Sequence, residues 1–101
     1  MTYKIVFRPL AENDLIALYE YIAENSGDDR AGAYIGRIEH SCMSLAAFPF
    51  RGTLRDDLHP GLRILGFERR ASIAFVIENQ TVRILRIFYA GRDFPQDWEE
   101  S

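Results

Sequence analysis

The chain has 101 residues, 48% of them hydrophobic and 27% charged, with a net charge of −3. That length holds one domain, residues 1–101, around one core, and the balance is ordinary for a globular protein. Mild acidity weighs against a protein that lives on nucleic acid, and no apolar run approaches the roughly 20 residues that span a bilayer.

Thr2 to Phe7 alternates, with Tyr3, Ile5 and Phe7 on one side, and predicts a short strand. Pro9 suits the first turn of a helix, and Glu12 and Asp14 favour its N-terminal end. Ala11, Leu15, Leu18 and Ile22 repeat at helical spacing, so this helix runs from about Pro9 to Glu24 and stops at Asn25-Ser26-Gly27. Asp28 or Asp29 is placed to cap a second helix. Its stripe is Ala31, Ile35, Ile38, Cys42 and Leu45, ending near Ala47, before Pro49. A short link makes the two helices an antiparallel hairpin.

Pro49 to Gly61 reads as a loop rich in breakers and charge. Three strands follow: Leu62 to Phe67, Ala71 to Glu78 with Ile73, Phe75 and Ile77 on one face, and Val82 to Tyr89. The last is apolar on both faces, which predicts a central position. Glu78-Asn79-Gln80-Thr81 is a polar turn, and short links imply an antiparallel meander. The order β-α-α-β-β-β gives an α+β domain: an N-terminal strand and a helical hairpin packed on a mainly antiparallel sheet.

Arg63, Arg83 and Arg86 interrupt the apolar strands. A guanidinium keeps its charge and is costly to bury unpaired, so each must reach water, a carboxylate or an anionic ligand. The separation of three places Arg83 and Arg86 on opposite faces of the strand. Cys42, the sole cysteine, sits in a helical stripe as a core residue; it excludes an internal disulfide and fits a reducing compartment. His40 and His59 stand alone, so no metal site is expected. His59 reads as a solvated loop residue and Arg69-Arg70 as a solvated turn. Tyr19 and Tyr34 lie on or beside the core stripes, whereas Tyr21 lies off them. Trp98, in a polar tail, is expected to pack back onto the sheet. No secretory signal is visible at the N-terminus.

The element order and its local motifs resemble the ParE/RelE superfamily of toxins from type II toxin–antitoxin systems. The motifs are AENDL and YEYI on the first helix, AGAYIGRIE on the second, then FPFRGTLRDDLHPGLR, IAFVIENQTVRILRI and FYAGRD. The likeness runs from residue 3 to about residue 94. It implies a cytoplasmic toxin with no cofactor, held inactive by an antitoxin in a toxin–antitoxin hetero-oligomer. RelE-like members resemble ribosome-dependent mRNA endonucleases; ParE-like members bind DNA gyrase and block it.

Cleavage through a 2′-hydroxyl needs a base, an acid and cations on the phosphate. By position the cations are Arg51, Arg55, Arg63, Arg83 and Arg92, but the tail after Arg92 offers Trp98 where a tyrosine or histidine is sought. An indole cannot exchange that proton at neutral pH. The PGLR segment and its surrounding arginines are similar to the ParE branch. The expectation is a non-enzymatic gyrase inhibitor, without membrane or sequence-specific DNA binding, neutralised by a ParD-like antitoxin. Arg63, Arg83 and Arg92 are the expected antitoxin contacts, with internal pairing to Asp56, Asp57, Glu68 or Asp93 as the competing role. A ribonuclease and a non-toxic antitoxin-binding remnant are the alternatives.

Overall fold

The computed structural model describes residues 2–89 together with Pro95 and Trp98. Strand β1 (Lys4–Phe7) leads through Arg8 into α1 (Pro9–Ser26), whose first turn holds Pro9. A single residue, Gly27, separates α1 from α2 (Asp28–Ser44). Its φ of 93° turns the chain. Its N–H closes α1 onto the Ala23 carbonyl, and its own carbonyl accepts the Ala31 N–H of α2. The expected aspartate cap is therefore not formed. Asp28 and Asp29 lie inside the first turn of α2, where their charge suits the positive helix end.

Strands β2 (Thr53–Leu54), β3 (Arg63–Phe67), β4 (Ala71–Glu78) and β5 (Thr81–Tyr89) complete the order. The sheet runs β1-β5-β4-β3-β2. β1 pairs parallel with β5, and every other pairing is antiparallel. β5 thus has a strand on each side, as its two apolar faces predict. The segment expected as pure loop contains β2, which pairs with the start of β3. Both hairpin turns place two residues in the left-handed region: Glu68-Arg69 and Asn79-Gln80. For Asn79-Gln80, between the paired Glu78 and Thr81, that is the geometry of a tight two-residue hairpin, whereas the β3–β4 loop holds a third residue, Arg70.

The helical hairpin covers one face of the sheet. Leu15, Leu18, Tyr34, Ile38 and Cys42 pack there on Ile73, Phe75, Val82, Ile84 and Ile87. Leu62, Ala74, Val76, Leu85, Phe88 and Trp98 form a smaller cluster on the opposite face, with Leu58 of the preceding loop against it. Trp98 meets Phe88 edge-on, at 5.8 Å and 85°, which places it on the sheet as expected.

One irregularity decides where the strand arginines point. Ala74 opposes Arg86 and Phe75 opposes Ile84, so Leu85 is an extra residue in β5. This bulge cancels one step of alternation. Arg83 opposes Val76 and Arg86 opposes Ala74, two residues of the same smaller cluster. The expectation of opposite faces fails for that reason. Past the end of β1, the Ile87 N–H is taken by the Asp14 carboxylate of α1, at 2.9 Å. Arg86 joins the same carboxylate through two hydrogen bonds of 2.7 and 3.0 Å. The two side chains are only 21% and 11% exposed. Asp14, expected to serve the helix dipole, instead ties α1 to β5.

Replacing Asp14 by Ala strands a mostly buried guanidinium and a strand N–H, and should cost about 3 kcal/mol in denaturant unfolding. In a double-mutant cycle with Arg86→Met, the two losses should sum to more than the measured double loss. Burial pushes the Cys42 thiol up to about 12, assisted by Glu39. A thiol with a raised pKa is neutral below that value, so at pH 8 it should react with an aromatic disulfide reagent only through opening of the fold. The rate should rise in the Asp14→Ala variant.

Candidate interaction surfaces

Arg63 opens β3 opposite Phe75, which assigns it to the helix-covered face. Its guanidinium lies over the Phe50 ring, 5.4 Å from the centroid. A 3.5 Å contact to the Arg51 carbonyl is its remaining polar interaction among the described residues. No carboxylate pairs with it there. Phe50 in turn meets Tyr3 edge-on at 6.3 Å. The Tyr3 N–H bonds to the Ala46 carbonyl at 2.8 Å, fastening the start of β1 to the end of the hairpin.

The chain around Phe50 is unusually apolar for a surface. Phe48 and Phe50 are 70% and 65% exposed, and Met43 and Leu54 are also exposed. Arg51 donates to the Ser44 hydroxyl at 2.9 Å, and this hydroxyl bonds to the Ser41 carbonyl. Two guanidiniums without a carboxylate partner among the described residues therefore border exposed aromatic rings. Arginine beside aromatic side chains is the composition of a protein-binding surface.

Arg83 lies on the other face of the sheet, opposite Val76. It forms an ion pair with Glu78 at 3.2 Å, in which both side chains are well exposed. This partner was absent from the internal acids considered from sequence. Arg63 and Arg83 consequently belong to two surfaces, not one. Arg92, the third expected contact, lies outside the described residues.

The cations proposed for a phosphate site do not converge either. Arg55 is bound to Asp57 by two hydrogen bonds of 3.0 and 2.9 Å. That contact raises the Arg55 pKa and lowers the Asp57 pKa. Arg83 is across the sheet from Arg51 and Arg63. His59 is half-buried in the Arg55–Leu62 loop. With Arg8, Glu78 and Trp98 it lines a cleft of about 340 Å³ on the second face. No group of three or more His, Cys, Asp or Glu residues able to hold a metal occurs among the described residues. None of the described helices is long and apolar enough to cross a membrane.

Comparison with known proteins places this architecture. A family model described as "ParE toxin of type II toxin-antitoxin system, parDE" matches residues 5–94. Toxin ParE3 of Caulobacter vibrioides is 36% identical over 80 residues, which are 79% of this chain and 78% of that protein. Among solved structures, a chain of the chromosomal ParDE toxin–antitoxin system from P. aeruginosa superposes with a TM-score of 0.77 at 26% identity. That match covers 88% of this chain and 97% of the other. A chain of the RelBE2 toxin–antitoxin complex from Mycobacterium tuberculosis shares the fold, with a TM-score of 0.66 at 21% identity over 91% and 95% of the two chains. The chain belongs to the ParE toxin family of type II toxin–antitoxin systems.

Proposed function

We propose that this toxin acts by protein contact, inhibiting DNA gyrase in the cytoplasm, and that a ParD-like antitoxin neutralises it in a hetero-oligomer. The observation that carries the antitoxin contact is Arg63. Its guanidinium is held over an exposed phenylalanine, with no carboxylate partner among the described residues. Such a group loses little freedom on binding and offers two parallel hydrogen bonds to an incoming carboxylate. Arg83 is a weaker anchor, because Glu78 already screens it and a partner must displace that contact. Arg92 is the third proposed contact. The solved relatives above come from toxin–antitoxin systems, which supports a partner of this kind.

Gyrase is favoured over the ribosome by the chemistry of the surface. A ribonuclease needs convergent cations and a proton-transfer group within reach of one phosphate. Here Arg55 is neutralised by Asp57, and Arg51 and Arg63 are separated from Arg83 by the sheet. A toxin that poisons by occupying a protein surface needs neither.

The purified chain should inhibit gyrase supercoiling and leave mRNA on programmed ribosomes intact. Cleavage without gyrase inhibition would identify a ribonuclease, and normal growth on induction without antitoxin would identify a non-toxic remnant. Arg63→Ala should raise the antitoxin Kd about tenfold, the scale of one well-placed arginine anchor. Arg83→Ala should raise it only about threefold, as for an exposed and screened pair. Calorimetry on the complex measures both, and an unchanged Kd for Arg63→Ala rules out that contact.

A further inference from the structure

At the tip of the hairpin, away from the Phe50 surface, lies a cleft of about 520 Å³. Arg30, Tyr34 and Arg37 of α2 line it, with Arg70 of the β3–β4 turn and the rings of Tyr21 and Tyr89. The Tyr34 hydroxyl is buried and has no hydrogen-bond partner among the described residues. A hydroxyl left in that state is destabilising, because it has given up water without gaining a hydrogen bond. Its ring has little room to swing toward one. It is packed edge-on to Phe67 at 5.6 Å and to Tyr89 at 5.9 Å, and the Arg37 guanidinium lies 5.3 Å from its centroid.

The charge lining this cleft is mostly positive. Arg37 is committed to Glu68 through hydrogen bonds of 2.8 and 3.1 Å, a contact that holds the Glu68 carboxyl below its usual range. Arg30 and Arg70 are exposed and form no ion pair among the described residues. Burial, then Tyr89 and Glu68, push the Tyr34 phenol up against the opposing pull of Arg37 and Arg70, so it stays a protonated donor at neutral pH.

We propose that this cleft binds a carboxylate, with Arg30 and Arg70 supplying the charge and the Tyr34 hydroxyl the buried hydrogen bond. Arg37, over the Tyr34 ring, and its partner Glu68 have exposed side chains with the freedom to move aside and admit the ligand. A carboxylate is favoured over phosphate on two grounds. A flat monoanion matches the guanidinium fork, as Glu68 already shows on Arg37. The resident Glu68 charge also repels a dianion more strongly than a monoanion. This inference rests on the cleft and not on the choice of toxin target.

The test titrates the isotope-labelled full chain with N-acetylglutamic acid α-amide, a mimic of a glutamate side chain, and separately with inorganic phosphate. Amide signals of Arg30, Tyr34, Arg37 and Arg70 should shift and saturate with the carboxylate. Tyr34→Phe removes only the hydroxyl, and should weaken that binding fivefold or more while Tm stays level or rises. Arg30→Ala combined with Arg70→Ala should abolish it. Unsaturable shifts, tighter binding of phosphate, or a Tyr34→Phe variant that binds as well as the parent would overturn the proposal. So would a lowered Tm in Tyr34→Phe, because the hydroxyl would then be bonded within the fold.

Discussion

The grip of Asp14 on β5 organises the molecule. β1 covers only the first part of β5, from Thr81 to Ile84. Where β1 ends, a single carboxylate from α1 takes over, receiving the Ile87 N–H and both prongs of Arg86. A carboxylate and a guanidinium this far from water are tolerated only when their hydrogen-bonding capacity is met. Here it is met by each other and by the strand. The bridge joins positions 72 residues apart, and so sets where the hairpin sits on the sheet. At the opening of β3, Arg63 meets a ring and a carbonyl in place of a carboxylate.

The strand arginines therefore divide by what surrounds them. Arg86 is spent on the fold. Arg83 sits on the second face in an exposed pair that water and salt weaken. Arg63 keeps its charge available because its neighbours are a ring and a carbonyl. Apolar rings around a fixed guanidinium lower the local dielectric once a partner covers them, which strengthens the pair that forms. The same logic separates the hairpin-tip cleft from an ordinary charged surface. There, two exposed guanidiniums lacking ion pairs among the described residues line one cleft, beside a buried hydroxyl donor.

Much of this was legible in the sequence. Helical stripes and strand alternation located both helices and the meander, because burial on one face imposes a period that the residues display. The link at Gly27 and the core roles of Cys42 and Tyr34 followed from the same patterns, and Trp98 packs on the sheet as expected of a lone indole in a polar tail. The bulge at Leu85 was hidden. β5 is apolar on both faces from Leu85 to Phe88 apart from Arg86, so an extra residue leaves no break in the pattern. Asp14 looked like a helix-dipole residue because its partner is far along the chain, and single-sequence periodicity carries no such pairing. β2 has only two residues, too few to show alternation. The cleft at the hairpin tip joins α1, α2, a turn and β5, and only the folded chain brings them together.

The central claim is that the apolar, arginine-bordered surface from Met43 to Leu54, with Arg63, is where a protein partner lands. Hydrogen exchange on the toxin alone and bound to its antitoxin tests it most directly. Amides of β5 should already be slow in the free toxin, since the strand is paired on both sides over Thr81–Ile84 and held by Asp14 at Ile87. Binding should slow exchange from Met43 through Leu54 and at the start of β3. A complex that protects other surfaces and leaves these amides exchanging as in the free toxin would contradict the account.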